Sequence, residues 1–553
     1  MQLMENRMDG ATFYRLVKGG AAQLRANASI VNDLNVFPIP DGDTGENMSL
    51  TIGGGIKHAG ECEACPLGEV ARKIADGMLL SARGNSGVIL SRLFAGIAEA
   101  FDGMEDASVS ETVTAMKNGV KSAYEAVLHP TEGTILTVAR EATDRAAQLE
   151  EGSSFSALGK VCMDEVDASL KRTPELLPVL KEAGVVDSGG AGLYYILDGM
   201  IRTARGETLD ASGMTAGSAA QNDVDFSKFT ENSVMEYGYC TEFLLQLQTS
   251  KVDVETFSVD TLTEYLRTVG DSIVAFRNGS IIKVHVHTMH PGEVLDHCQQ
   301  FGEFLTLKIE NMTLQHHETV IENRFSVEKT QEKKEFGIVT VATGEGIVNT
   351  FRDLGADYVI DGGQGHNPST EDFVNAFEAV AADTIFVLPN NGNIVMAAKQ
   401  AAEIYEKSRV IVVESKNLGE GYAALTMFSD ESHDADVVAE GLREAMQGVV
   451  TGLVTRAVRS AKINDVDIHE NNFVGFTDKT MQVSEHTAVD TACALLGKLD
   501  ASRYDILIAI YGVDVSAAER EAFRGQCSAA FPGMELYEID GEQQVFDFIL
   551  ILQ

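Results

Sequence analysis

The stretch NVFPIPDGDTGENM, Asn35–Met48, decides how the first part of this chain is read. Pro38 and Pro40 stop the helix before it, because proline lacks the N–H that a helix interior needs. Asp41 and Asp43 then stand two apart in a loop, beside Gly42 and Gly45, which can take positive φ. Two carboxylates held ~5 Å apart repel by roughly 3 kcal/mol at an effective dielectric of ~20. A divalent cation reverses that sign. Oxygen ligands without His or Cys favour magnesium, which commonly shares its shell with nucleotide phosphates. The same residues also suit an Asx-rich surface turn, and DGD alone does not choose between the two.

Three further loops bear on that choice. ARGNSGVILSRLFAGIAEAF, Ala82–Phe101, is a Gly-flanked polar turn that runs directly into an amphipathic helix. Asn85 or Ser86 is expected to cap it. Free N–H groups around Ser86 and Gly87 would then form an anion seat at the helix start. An ordinary capped helix reads the same way. HPTEGTILTV (His129–Val138) and GVVDSGGAGL (Gly184–Leu193) are also unusual loops for a helical region, the second because its glycines let backbone approach a ligand closely.

Around these loops the chain reads as helix. Phe13, Leu16, Val17, Leu24, Ala28 and Val31 recur at helical spacing, with Asp9 as the expected N-cap. Val88–Phe101 and Gly192–Ala204 are expected helices as well. At 553 residues the chain has length for about three or four domains. Two composition shifts divide it. Gly206–Asp225 is small and polar, and Ser326–Glu335 is charged without apolar anchors. The expected layout is an all-α domain over 1–205, a linker over 206–225, a small α+β domain over 226–325, a linker over 326–335, and an α/β domain over 336–553.

In the middle block, FLLQLQ (Phe243–Gln248), SIVAF (Ser272–Phe276) and IIKVHVH (Ile281–His287) read as strands. In the last block six short apolar runs alternate with helices such as Asn393–Lys407, the pattern of a mostly parallel sheet. Those runs are Phe336–Ala342, Asp357–Asp361, Thr384–Pro389, Arg409–Ser415, Asn472–Phe476 and Asp505–Gly512. Polar loops follow two of them, GGQGHNPST (Gly362–Thr370) and PNNGN (Pro389–Asn393), at the strand ends where open α/β sheets bind ligands.

Composition excludes several roles. The chain has 43 Lys plus Arg against 83 Asp plus Glu, a formal charge of −40. Nothing there offsets repulsion from nucleic acid or an anionic membrane. No segment reaches the ~18 apolar residues of a membrane span, and the N-terminus lacks a signal-peptide core, so a cytoplasmic protein is expected. The seven Cys (62, 65, 162, 240, 298, 493 and 527) read as reduced thiols. Cys62 and Cys65 form a C-x-x-C without a second pair, and His316–His317 reads as solvated polar sequence. One cysteine stands out. Cys240 lies in EYGYCTEFLLQ, and KVHVHTMHPGE holds His285, His287 and His290. His at i and i+2 share a strand face, and a Cys with two His is a soft tetrahedral zinc set. A sheet with polar edges is the competing reading.

In this order, the four loops of the first block resemble the DhaL-type (DAK2) nucleotide-binding domain of dihydroxyacetone kinases. All three blocks together resemble the large, ATP-binding subunits of bacterial fatty acid kinase (the FakA family). The resemblance implies a helical barrel with ATP and two magnesium ions at one end. Asp41 and Asp43 match the metal-binding, catalytic carboxylates. Thr44 and Asn47 fall in the nucleotide-contacting turn, and Ser86 and Gly87 in the phosphate loop. Thr134 and Asp187 lie in loops that close over the nucleotide. A third carboxylate of the dihydroxyacetone kinase branch is replaced here by Val36, so Asn35 or Asp33 would substitute. The resemblance also implies zinc on Cys240, His285 and His287, with His290 as an optional fourth ligand, in a structural role. The last block resembles DegV-like lipid-binding proteins, which implies docking of a fatty-acid-binding partner (FakB). Its loop Ser415–Leu425 departs from the family in having Gly419 where proline is frequent. The implied activity is ATP-dependent phosphorylation of a fatty acid carboxylate by a homodimer. A dihydroxyacetone-kinase-like enzyme and a nucleotide-binding scaffold are the alternatives.

Overall fold

A computed structural model describes residues 7–35, 42–60, 65–127, 129–207, 209, 239–254, 257–278, 280–311, 333–363, 366–428, 432–477 and 480–553. Asp41, Cys62 and His316–His317 lie outside these residues, as do the side chains of Cys240, His285 and His287. The chain divides into two compact units, one of Met1–Thr215 with Glu332–Gln553 and one of Ala216–Gln331. The first and last blocks of the sequence are therefore joined in space.

The first block is helical. After a short strand β1 (Met8–Asp9), paired with β2 (Asp106–Ala107), α1 runs over Gly10–Ala26. Asp9 caps it by accepting from the Thr12 N–H at 2.8 Å. Then come α2 (Ala28–Asp33), α3 (Thr44–Ala59), α4 (Leu67–Leu80), α5 (Gly84–Ala100), α6 (Val109–Glu125), α7 (Ile135–Ala146), α8 (Phe155–Leu176), α9 (Pro178–Ala183) and α10 (Ser188–Ala204). Leu24, Met48, Ile52, Ile74, Met78 and Leu90 are fully buried among them. α1 and α10 approach along a glycine seam, where a Cβ on Gly199 would lie 2.3 Å from the Gly19 carbonyl oxygen. The helices also enclose an apolar cavity of about 900 Å³ lined by Phe13, Phe94, Met116, Phe155 and Leu197.

The middle unit is a four-stranded antiparallel sheet in the order β4–β5–β3–β6, with β3 at Tyr239–Leu247, β4 at Gly270–Asn278, β5 at Ile281–Thr288 and β6 at Gly302–Asn311. α11 (Val259–Val269) and α12 (Pro291–Cys298) supply Leu262, Leu266 and Val294 to a core with Leu245, Ile282, Val284 and Val286. The strand β6 goes beyond the three expected here.

Among the described residues the last block holds two large sheets and a two-stranded ribbon of Ala461–Ile463 with Val466–Ile468. In the first, β7 (Lys334–Ala342), β8 (Tyr358–Asp361), β9 (Ala382–Leu388) and β10 (Arg409–Val412) pair in parallel, in the order β10–β9–β7–β8. β7 is buried from Phe336 to Ala342, as a central parallel strand covered on both faces must be. The second sheet corrects the expectation of a mostly parallel arrangement. Its six strands include Val450–Arg456, Phe473–Thr477, Thr480–Glu485, Ile506–Tyr511 and Phe548–Leu552, all joined by antiparallel ladders. Only Glu535–Asp540 pairs in parallel there. Phe473–Thr477 and Thr480–Glu485 are separated by two residues, a hairpin connection that forces antiparallel pairing.

The helical and α/β blocks meet around the start of α5. Ala82 and Val88 share a buried cluster with Phe373, Phe377, Ile394 and Ala397 of the α/β block. Gln400 donates to the Leu79 carbonyl at 2.8 Å, and Arg92 pairs with Glu403. Cys65 is disulfide-bonded, which corrects the reading of uniformly reduced thiols; its partner is outside the described residues. Cys162, Cys298, Cys493 and Cys527 are free. Among the described residues no helix is long and apolar enough to cross a membrane.

Candidate functional site

Four helices of the first block begin at one place. The Ser188 hydroxyl donates to Thr44 Oγ1 at 3.3 Å, which joins the starts of α10 and α3. A Cβ on Gly84 would lie 2.8 Å from Asn47 Nδ2, so the starts of α5 and α3 touch. A Cβ on Gly189 would lie 3.2 Å from Ile135 Cβ, which brings in α7. Each helix start carries N–H groups without an intrahelical partner and a partial positive charge. Four of them together make a strong anion seat.

Asp43 occupies the N-cap position of α3 and makes no side-chain cap bond. Asn32 of α2 serves that start instead, accepting from the Gly45 N–H at 2.7 Å. The Asp43 carboxylate accepts a hydrogen bond from Asn367 Nδ2, a residue of the α/β block. Asn47 is buried in the first turn of α3.

The start of α5 differs from expectation. Arg83, not Asn85 or Ser86, takes the N-cap position, and its side chain makes no cap bond. Gly84 adopts a φ of +57°, which turns the chain into the helix two residues earlier than an Asn85 cap would and three earlier than a Ser86 cap would. Asn85 and Ser86 thus lie within the first turn. The Gly87 N–H donates to the Arg83 carbonyl at 3.1 Å, so it is engaged rather than free. Gly87 is still needed for packing, since a Cβ there would lie 2.4 Å from Thr51 Oγ1.

Asp187 caps α10, accepting from the Gly190 N–H at 2.7 Å. Burial pushes its carboxyl up to about 6, against the opposing pull of the Gly190 and Ile135 N–H groups. Thr134 precedes α7, and its hydroxyl donates to the Thr131 carbonyl at 2.8 Å. Asn35 stays beside the loop, and Arg459 of the α/β block binds its main-chain oxygen. The structure thus gathers Asp43, Thr44, Asn47, Ser86, Gly87 and Asp187, with Thr134 adjoining through Ile135. Sequence reasoning missed Asn32, Gly84, Ser188, Asn367 and Arg459. Asn367 lies within the polar loop Gly362–Thr370, but nothing in that loop points to a helical partner.

The donors suit magnesium on a polyphosphate. A carboxylate stands at converging helix starts, and the buried Asn85 Oδ1 and Asn367 Oδ1 meet no donor among the described residues. Such orphaned amide oxygens are expected where an ion, its waters or a ligand belongs. Among the described residues no three His, Cys, Asp or Glu side chains form a metal cluster. In the middle sheet the register sets Cys240 directly opposite His287, and Glu242 opposite His285.

The chain matches the DAK2 domain over residues 38–202, the FakA-like middle domain of fatty acid kinases over 236–319, and the FakA-like C-terminal domain over 337–553. Protein YloV of Bacillus subtilis is 38% identical over 550 residues, covering 98% of this chain and 99% of its own. An uncharacterized protein of Staphylococcus saprophyticus is 37% identical over 558 residues, covering 100% of both. Among solved structures, DegV, a fatty acid binding protein from Bacillus subtilis, aligns with 40% of this chain and 100% of that chain at 12% identity, with a TM-score of 0.30. With three successive domains matched and a relative at 38% identity along nearly its whole length, this chain belongs to the FakA-like family of fatty acid kinase proteins.

Proposed function

We propose that this chain is the ATP-dependent kinase component of a fatty acid kinase. It would transfer the γ-phosphoryl group of ATP to a fatty acid carboxylate held by a separate DegV-like carrier, the FakB type. The observation that carries this reading is the convergence of four helix starts beside Asp43. Those starts would hold the triphosphate, with Ser86 in the first turn of α5 and Thr44 in that of α3. Asp41 and Asp43 would hold magnesium, which when bound offsets phosphate charge and orients the γ-phosphoryl group.

In the transfer, a carboxylate oxygen forms a bond to the γ-phosphorus as the bond to the β–γ bridging oxygen breaks. ADP leaves with that electron pair, and the product is an acyl phosphate. A carboxylate is already ionised at neutral pH, so no strong general base is demanded. This accords with a site that offers anion donors rather than an acid–base dyad. The helix starts stabilise the charge that accumulates on the transferring oxygens. Zinc on Cys240, His285 and His287 is proposed to brace the middle sheet. A homodimer in the cytoplasm completes the reading.

The test combines purified protein, ATP, magnesium, a fatty acid and DegV-like carriers, with the acyl phosphate trapped by hydroxylamine. Product that requires every component is expected. ATP turnover on dihydroxyacetone, without acyl phosphate on any carrier, would move the activity to the small-substrate branch.

A further inference from the structure

Asn367 sits in the loop after β8, 324 positions from Asp43 in sequence, and is 3% exposed. Its Nδ2 donates to the Asp43 carboxylate, while its Oδ1 is buried without a donor among the described residues. Its main-chain oxygen accepts from Arg83 Nη1 at 2.7 Å. The backbone that carries it is pinned to the helical block. Ser369 bridges Arg83, and the Thr370 N–H donates to the Ala82 carbonyl at 3.1 Å. Asp372, which caps the following helix together with Ser369, lies 3.6 Å from the Arg83 guanidinium. Arg459 donates to the main-chain oxygens of Asp33, at 3.1 Å, and of Asn35, which precede Asp43 in the chain. The α/β block thus contacts Asp43 itself and the residues Asp33 and Asn35 before it.

An amide suits this position for a physical reason. It fixes the orientation of a carboxylate that is to hold a cation, through a single hydrogen bond. Being neutral, it does not displace that cation as a lysine would. Groups that orient metal ligands in this way shape metal affinity without being ligands themselves. The unpartnered Oδ1, covalently one amide away from the Asp43 contact, is an acceptor that meets no donor among the described residues.

We infer that the α/β block completes the phosphate site in cis, with Asn367 as the positioning residue for Asp43, the carboxylate that would hold magnesium. The inference rests on the kinase reading above and extends it: the lobe proposed to receive the lipid carrier also sets the geometry of the metal site. Carrier docking and metal geometry then share one rigid contact.

The test uses the full chain and a fluorescent ADP analogue titrated with magnesium. Asn367→Ala is expected to raise the half-saturating magnesium concentration about ten-fold, while metal-free nucleotide affinity changes less than about two-fold. Glu403→Gln is the control, because it breaks the Arg92 pair in the same interface without touching Asp43. It is expected to leave the magnesium profile in place. If Asn367→Ala does not fold, Asn367→Ser, too short to reach Asp43, reads the same shift. A wild-type magnesium profile in a folded Asn367 variant overturns the inference. So does an equal shift in Glu403→Gln, which would mean that loosening the interface is enough. If the wild-type chain binds nucleotide without any dependence on magnesium, the kinase reading falls first and this inference with it.

Discussion

The proposed nucleotide site and the middle sheet collect their candidate ligands by opposite routes. At the first, four helix starts meet, and the carboxylate loop is gripped from a distant block. In the second, strand register alone sets Cys240 opposite His287. The difference follows from the ions each would hold. A hard cation that arrives with a polyphosphate needs a field favourable to anions, which helix starts supply. A soft set of thiolate and imidazole needs fixed spacing, which a hydrogen-bonded ladder supplies before any metal binds.

Four measurements sharpen or break that contrast. The largest effect is expected for Asp43→Ala, a fall in acyl phosphate formation of about 10²-fold or more, with carrier binding retained. Retained turnover would remove Asp43 from the chemistry. Next, Cys240→Ser should lower zinc from about one per chain to none by elemental analysis, with the magnesium profile of nucleotide binding unchanged. Zinc-free wild-type protein would dissolve the comparison. Gly84→Ala places a Cβ where φ is +57° and Asn47 stands 2.8 Å away. Denaturant unfolding should report a loss of about 1–2 kcal/mol, with weaker nucleotide binding; wild-type stability would mean that the turn relaxes freely.

The smallest effect concerns Asp187. Its folded carboxyl titrates near 6, above its ordinary range, so the folded protein holds that proton more tightly than the unfolded chain. The Asp187 contribution is therefore most favourable at low pH and declines as pH rises from about 4 through about 6. Asp187→Asn removes this titration, so the variant should gain on wild type over the same interval. Parallel stability–pH curves for the two proteins would contradict the assignment.

Local chemistry was legible in the sequence, and distant chemistry was not. Helical spacing from Phe13 to Leu24, with Asp9 as its cap, matched α1, because both signals lie within one turn of the residues they act on, whereas Ala28 and Val31 of the same stripe fall in the separate α2. The loop at Asp43 was visible as a motif, and so were the strands carrying Cys240 and His287. The start of α5 was misjudged because Gly84, by taking a left-handed φ, outweighed the capping preference of Asn85 and Ser86. The second sheet of the α/β block was misjudged because buried apolar runs look alike in parallel and antiparallel pairing. The bond from Asn367 to Asp43 had no local signature at all. Each side chain reads as an ordinary polar loop residue, and only the docking of two blocks makes them neighbours.

The shared cluster around Ala82 and Val88 has a consequence for biosynthesis. These residues leave the ribosome long before Phe373 and Ala397 exist to cover them. At ordinary translation rates the interval is roughly 15–60 s. Through it, the nascent helical block carries a bare apolar seam next to the start of α5. A chain cut short anywhere before that cover is made would keep the seam exposed, so such fragments are the natural clients of chaperones and the first to aggregate.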